Sequence, residues 1–366
     1  MVKEIGEVTP SALKHILEAC IKHNVRIPHA IYGPPGIGKS DIVKETAERL
    51  GIGMIDRRLA QYEAPEIRGI PDIDRNRNRA VFVPSAFIPD VSRDGERGIL
   101  FLDEITNAPS AVQNAALELL RDYRIGDAKL PDGWTIVAAG NRIEDGAFVN
   151  KLSTALRNRL IQHTIVLSVD DWIEWAVNKL THGEIISYIH QNNPDLLNFE
   201  KDDKVFPSPR SWEFVDKILG MENDLSANEL SYEISGAVGQ AAALRFVAFK
   251  NESLVLPNIQ EIMAGKNVFP SKPPQRYSVI YSLSTIMAQS KTKENYKSTV
   301  ERLVDYALYL IEVDGGVEYS ALLTKNMTRI DKNTLVSLMA SNNSKAKKLF
   351  GTHFNMIRGV DSFEVK

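Results

Sequence analysis

Gly33-Pro34-Pro35-Gly36-Ile37-Gly38-Lys39-Ser40 sits between an apolar run, His29-Ala30-Ile31-Tyr32, and a helical stretch from Asp41 to Leu50 that Gly51 stops. The string fits G-x-x-x-x-G-K-[ST] in the context that gives that pattern meaning, after a strand and before a helix. Glycines let the backbone curl so that successive N–H groups point at phosphate oxygens, and the helix N-terminus adds its positive end. Lys39 is placed to reach the β- and γ-phosphates, and Ser40 to offer its hydroxyl to Mg²⁺. Chance supplies such a string in roughly one chain of this length in a hundred. The flanking strand and helix lower that further, so residues 33–40 together with Asp41 are read as a nucleotide site.

Outward from this loop, strand-like runs alternate with helical ones. The runs are His29–Tyr32, Met54–Gln61, Ile99–Ile105, Thr135–Gly140 and His163–Leu167, with helices near 41–50 and 110–121. Such alternation predicts a parallel five-stranded sheet with helices on both faces, an α/β core. Thr9-Pro10 reads as an N-cap and first helical residue, opening a leading helix through Asn24 with Leu13, Ile16, Leu17 and Cys20 on one face.

Two insertions interrupt the pattern. Gly69 to Val91 contains a polar turn, Asp72 to Asn78, followed by a strand ending at Val83. Tyr123 to Leu130 reads as a hairpin about Gly126-Asp127. From Asp170 onward the periodicity is helical, with Trp172, Trp175 and Ala176 and later Trp212, Val215 and Leu219 at helix spacing. Residues 251–275 carry Pro257, Pro270, Pro273 and Pro274 and read as an irregular linker. Residues 276–366 read as an all-helical C-terminal region. The expected division is 1–168 for the nucleotide-binding core, 169–250 for a helical lid, then the linker and the end piece.

Ile99 to Leu102 is an apolar strand ending in Asp103-Glu104. Opposite a phosphate loop, Asp103 suits holding Mg²⁺ through its water shell, and Glu104 suits polarising the water that attacks the γ-phosphate. A strand with a solvated acidic end is the bland alternative, and the upstream loop tips the balance. Thr135 to Gly140 ends in Asn141, whose amide is placed for the γ-phosphate or the attacking water, or merely begins a turn. Leu156-Arg157-Asn158-Arg159-Leu160 puts two arginines before the fifth strand. Either is a surface arginine or a planar, permanent charge for the transition state on a neighbouring subunit.

This order of parts resembles the AAA+ ATPases: phosphate loop, Asp-Glu strand, Asn-ended strand, paired arginines, helical lid. Within them it is most similar to the MoxR-type branch. Asp103-Glu104-Ile105-Thr106-Asn107 matches that branch's acidic turn, both insertions sit where it carries extra hairpins, and Pro207-Ser208-Pro209-Arg210-Ser211-Trp212 resembles its Ser-Pro-Arg lid element. The resemblance covers about residues 28–250. It implies a P-loop NTPase core and Mg²⁺-dependent ATP hydrolysis, with Glu104, Asn141, Arg157, Arg159 and Arg210 as catalytic residues and Arg210 in the sensor-2 role. It further implies a hexameric ring and remodelling or activation of a protein client, often one with a von Willebrand factor A domain. The usual Asp-Arg-Phe ending is here Asn158-Arg159-Leu160, which leaves the trans-acting arginine open between Arg157 and Arg159, with Arg159 ranked first. No residue pattern separates ATP from GTP.

The rest of the composition bounds the alternatives. In 366 residues, 43% hydrophobic and 25% charged, there is material for two or three packed domains. A net charge of −3 gives no bulk attraction to nucleic acid or an anionic membrane. A nucleic-acid-dependent motor is the competing class, supported by Arg75, Arg77 and Arg79 at alternate positions with Arg68 nearby. Pairing of those charges with Asp72 and Asp74 is the plainer reading. Cys20 is the only cysteine and the seven histidines show no metal spacing, so Mg²⁺ is the only metal expected and a reducing compartment, the cytoplasm, is the expected location. No apolar run reaches the roughly 18 to 20 residues of a membrane helix.

Overall fold

Burial on both faces lets the central runs form near-continuous apolar strands, and six parallel strands share one sheet here. The computed structural model describes residues 6–75, 79–83, 85–126, 128–142, 150, 152–199, 204–253, 259–341 and 343–357. Contacts divide the chain into two compact units, Met1–Ser168 and Val169–Lys366.

The first unit contains strands β1 (Glu7–Val8), β2 (His29–Tyr32), β3 (Gly53–Arg58), β4 (Ile70–Asp74), β5 (Arg79–Val83), β6 (Arg97–Asp103), β7 (Arg124–Ile125), β8 (Ala128–Lys129), β9 (Gly133–Gly140) and β10 (Ile161–Ile165). Its helices are α1 (Pro10–Lys22), α2 (Lys39–Leu50), α3 (Ala64–Arg68), α4 (Val91–Asp94), α5 (Ser110–Asp122) and α6 (Thr154–Arg157). The main sheet runs β1-β10-β2-β9-β6-β3, parallel throughout. The sheet is therefore six-stranded and not five-stranded. Strand β1 joins its edge through Thr164 N to Gly6 O (2.7 Å) and Val166 N to Val8 O (3.0 Å), and two residues are too few to show a period.

Alternation assigns the two faces. Leu100 and Leu102 of β6, and Ile136 and Ala138 of β9, pack in one buried cluster with Val112, Ala115, Ala116 and Leu119 of α5. Their neighbours Ile99, Phe101, Val137 and Ala139, also fully buried, turn to the opposite face, where α2 packs against β3, β6 and β9. Thr9 caps α1, accepting from Ala12 N. Helix α2 begins at Lys39, two residues before the expected Asp41, and Gly51 ends it in the left-handed region.

The first insertion is a full hairpin, β4 against β5, where only the second strand was legible. The second pairs β7 with β8; Asp127 of its expected turn lies outside the described residues. So does Arg77 of the basic run, whose partners Arg75 and Arg79 fall after β4 and at the start of β5.

The second unit is helical: α7 (Val169–Lys179), α8 (Gly183–Gln191), α9 (Pro209–Leu219), α10 (Ala227–Val238), α11 (Gln240–Ser253), α12 (Ile259–Met263), α13 (Pro273–Ser290), α14 (Tyr296–Glu312), α15 (Val317–Ala340) and α16 (Ser344–Ile357). Helix α13 packs on α7 and α8, and α15 on α7, so helices from 276 onward share a core with those of 169–191. The stretch expected to be irregular holds α12, and Pro273-Pro274 open α13, where a missing N–H costs nothing; Pro257 lies outside the described residues. Asp195 anchors one aromatic cluster. It pairs with Arg245 (2.6 Å), accepts from Tyr188 OH, and its carbonyl accepts from Trp212 Nε1 (2.7 Å). Burial works against its charge, yet the Arg245 and Tyr188 hydrogen bonds hold its carboxyl below the usual range. No helix of the described residues is long and apolar enough to cross a membrane.

Beneath the phosphate loop, at the other end of β2, His29 Nδ1 meets His163 Nε2 of β10 at 3.0 Å, with the rings nearly parallel. Burial first, and the neighbouring His163 second, lower the His29 pKa to about 4; burial lowers that of His163 too. A folded-state pKa below the unfolded value of about 6.5 favours the fold above that pH, and the benefit is lost as pH falls towards 4. At about 1.4 kcal/mol per unit, His29 alone accounts for a loss of about 3 kcal/mol over that window. Urea midpoints measured from pH 7 to 4.5 should therefore fall more steeply in wild type than in His29→Leu, and equal slopes would contradict the assignment.

Candidate nucleotide-binding site

Strand order builds the site. The phosphate loop follows β2, the acidic pair ends β6, and β9 lies between them, so three parallel strands deliver Lys39, Asn141 and Asp103 to one edge of the sheet. That carboxyl edge is where open α/β sheets bind ligands.

Gly36 and Gly38 take φ of 79° and 96°, a backbone that L side chains rarely adopt. Gly38 is the N-cap of α2 and has no side chain with which to cap it, and a helix start that follows a glycine loop is where phosphate oxygens bind. Lys39 Nζ donates to Gly33 O (2.7 Å), Pro34 O (3.1 Å) and Asn141 Oδ1 (2.9 Å). Ser40 Oγ donates to Asp103 Oδ2 at 3.3 Å. The loop residues Gly33, Pro34 and Ile37 are buried, and Asp41 is exposed in the first turn of α2.

Past Asp103 the chain turns sharply. Glu104 has φ 57°, costly for a residue with a Cβ and found where the surroundings over-determine the backbone. Asp103 Oδ1 accepts from Glu104 N (2.8 Å), while Asn107 N and Ala108 N donate to Glu104 O (2.9 and 3.2 Å). Residues that sequence reasoning missed complete this turn. Thr106 Oγ1 accepts from Asn141 N (3.1 Å), and Gln113 Nε2 donates to Ile105 O and Ala108 O (3.2 and 3.3 Å). Asn150 Nδ2 donates to Ala108 O as well (3.0 Å). On β3, Arg58 is in register with Asp103 and Asp56 with Phe101. Burial and then the Asp103 charge raise the Asp56 carboxyl above its ordinary range, against the pull of Arg58 and Arg57. Asp56 is exposed on β3, two register positions before Asp103, and its place in the strand gave no sign of the shift.

The two arginines diverge. Ser153 caps α6, accepting from Leu156 N, and buried Leu156 fixes the helix to the core. Arg157 is exposed and donates to Thr154 Oγ1 (3.4 Å). Its charge pulls against the burial that pushes the Tyr32 hydroxyl up to about 12. Arg159 Nη1 donates to Ala155 O (2.7 Å) and contributes to lowering Asp122 at the end of α5, where the Arg121 hydrogen bond dominates. Arg210 is exposed in the second unit, one residue into α9 after Pro209, with Ser208 as N-cap.

Residues 29–160 match the sequence model of the AAA domain, dynein-related subfamily. The match falls within the first unit. The matched span runs from the start of β2 to the residue before β10 and so contains the loop, the acidic turn, Asn141 and both arginines. No curated protein matches the chain. Among solved structures, the RuvB Holliday junction branch migration motor of Thermotoga maritima is similar at 15% identity, with 80% of this chain and 86% of that one covered and a TM-score of 0.34. Hsp104 with ATPγS and FITC-casein is similar at 18% identity, covering 66% and 46%, with a TM-score of 0.37.

The donor set at this sheet edge fits a metal–triphosphate. Left-handed glycines, a helix start with glycine as its N-cap, an ammonium, and a hydroxyl beside a carboxylate are what a phosphate chain and its hard cation require. With Asp103 and Ser40 as the protein's oxygens, Mg²⁺ would keep most of its shell as water and phosphate.

Proposed function

We propose that the chain is a Mg²⁺-dependent ATPase that assembles as a ring and couples nucleotide state to remodelling of a protein client, as in the MoxR-type branch it resembles. The observation that carries the ATPase part is the meeting of Lys39 with Asn141 and of Ser40 with Asp103 at one sheet edge. When bound, Mg²⁺ supplies charge neutralisation between the β- and γ-phosphates. Ser40 and Asp103 hold that ion, and Lys39 exchanges its Gly33 and Pro34 carbonyls for phosphate oxygens. Glu104 takes the role of polarising the attacking water, with Asn141 fixing the γ-phosphate or that water. The family likeness implies a sensor-2 role for Arg210.

Ring assembly rests on the arginines. Both make their hydrogen bonds inside their own segment, which suits a role towards a neighbouring subunit, and head-to-tail contacts close naturally into rings. A hexamer and a client bearing a von Willebrand factor A domain are implied by the family likeness. Specific ATPase activity that rises with protein concentration and requires Mg²⁺ supports this reading; activity independent of concentration would point to a self-contained monomer. Arg159→Ala should bind ATP normally but lose about 10³-fold in turnover, the lower range for a trans arginine. Mixed with Lys39→Ala, it should regain part of the activity, and absence of rescue in a co-assembled mixture would contradict shared sites.

A further inference from the structure

We propose that Thr106 is a positioning residue whose hydroxyl locks the acidic turn to the tip of β9, so that Glu104 and Asn141 are set relative to each other by one side chain. This rests on the ATPase reading above. Thr106 is 3% exposed. Its Oγ1 accepts from Asn141 N at 3.1 Å and donates to Asn107 Oδ1 at 3.2 Å, so both hydrogen-bonding capacities of the hydroxyl are used across the turn. A second tie runs beside it, Ile105 N to Ala139 O at 2.9 Å. The fit leaves no slack. A Cβ at Gly140 would come within 2.7 Å of Thr106 Cγ2 and 2.8 Å of its Oγ1, so the residue before Asn141 has room only for glycine because Thr106 occupies the space.

The neighbours of Thr106 hold it in turn: Asn150 N donates to its carbonyl at 2.7 Å, and Gln113 secures the carbonyls of Ile105 and Ala108 on either side. Glu104, two residues upstream, sits at φ 57°, a conformation the turn must impose. A hydrogen-bond path therefore runs from Lys39 Nζ to the Asn141 side chain, from the Asn141 backbone to Thr106, and from Thr106 into the turn that aims Glu104. Glu104 and Asn141 are the two groups that must bracket the attacking water, and a misplacement of about 1 Å can cost about 100-fold in rate.

The test is steady-state ATP hydrolysis with Mg²⁺, binding of a fluorescent non-hydrolysable ATP analogue, and thermal unfolding, for Thr106→Val, Thr106→Ser and Gly140→Ala in the full chain. Thr106→Val keeps the shape and strands Asn141 N without an acceptor; kcat should fall about tenfold or more while KM and analogue affinity stay within about threefold. Thr106→Ser should restore kcat to within about threefold of wild type. Gly140→Ala, whose Cβ must displace the Thr106 side chain, should show the same loss in kcat, and it decides the matter if Thr106→Val does not fold. Adding Thr106→Val to Glu104→Gln should cost less than it does in wild type, because the lock acts in part through Glu104. Wild-type kcat in Thr106→Val or Gly140→Ala, a serine variant as slow as the valine one, or a change confined to KM would overturn the proposal alone. A wild-type protein that does not hydrolyse ATP, indistinguishable from Glu104→Gln, would overturn the ATPase reading together with it.

Discussion

Lys39→Ala should lose at least about 100-fold in affinity for ATP with no loss of folding stability. The ammonium now bridges the carbonyls of Gly33 and Pro34 and the Asn141 amide, three neutral acceptors it can exchange for phosphate oxygens. Charge-assisted hydrogen bonds to phosphate contribute about 1.5–3 kcal/mol each, so losing two of them removes about 3–6 kcal/mol of binding, and each 1.4 kcal/mol is tenfold in the dissociation constant. The stability arm matters as much. Gly33 and Pro34 sit in a loop whose shape is set by glycine backbones and by buried Ile37, not by the lysine. Calorimetry of analogue binding together with the melting temperature separates the two effects. Undiminished affinity, or affinity lost only because the chain unfolds, would contradict the role given to Lys39.

Glu104→Gln should bind ATP as tightly as wild type and turn over about 10²–10³-fold more slowly, since the amide keeps the shape of the side chain and loses its basicity. The backbone adds an independent check. At φ 57° the residue carries strain that glycine does not feel, so Glu104→Gly should be no less stable than wild type while equally inactive. Stability that drops in the glycine variant would mean that the Glu104 side chain holds the fold and is not a strained functional group. Normal turnover in Glu104→Gln would remove it from the chemistry. Single-turnover hydrolysis alongside equilibrium binding reads both quantities in one preparation.

The phosphate loop was legible because its chemistry is local: the glycines, the lysine and the serine work through their own backbone and the helix they open. The central strands were legible for a different reason. Ile99 to Leu102 and Ile136 to Ala139 are buried on both faces and read as unbroken apolar runs. The edges failed where that signal fades. Glu7–Val8 has two residues and half-buried side chains, and β4 reads as polar because it belongs to a two-stranded sheet whose Ile70 and Ile73 are 70% and 66% exposed.

Within the site, sequence named Lys39, Ser40, Asp103 and Asn141, which the fold brings together, and missed the groups that hold them. Thr106 acts through a strand 35 positions away, and Asn150 through a carbonyl 42 positions away. Contacts of that range leave no periodicity in the chain. Asp56 is hidden for the same reason: its carboxyl is raised by burial and by a residue of the neighbouring strand. The left-handed Glu104 gave no sign either, since nothing in Asp-Glu-Ile-Thr-Asn distinguishes a strained turn from a relaxed one.

The most direct measurement is the structure of the protein with a non-hydrolysable ATP analogue and Mn²⁺, the metal located by its anomalous signal. The expected result is the ion ligated by Ser40 Oγ at about 2.1 Å, with Asp103 reaching it through water and Lys39 Nζ withdrawn from Asn141 onto the terminal phosphates. A metal and triphosphate bound elsewhere, with Lys39 still closed on Gly33 and Pro34, would be the contradictory result.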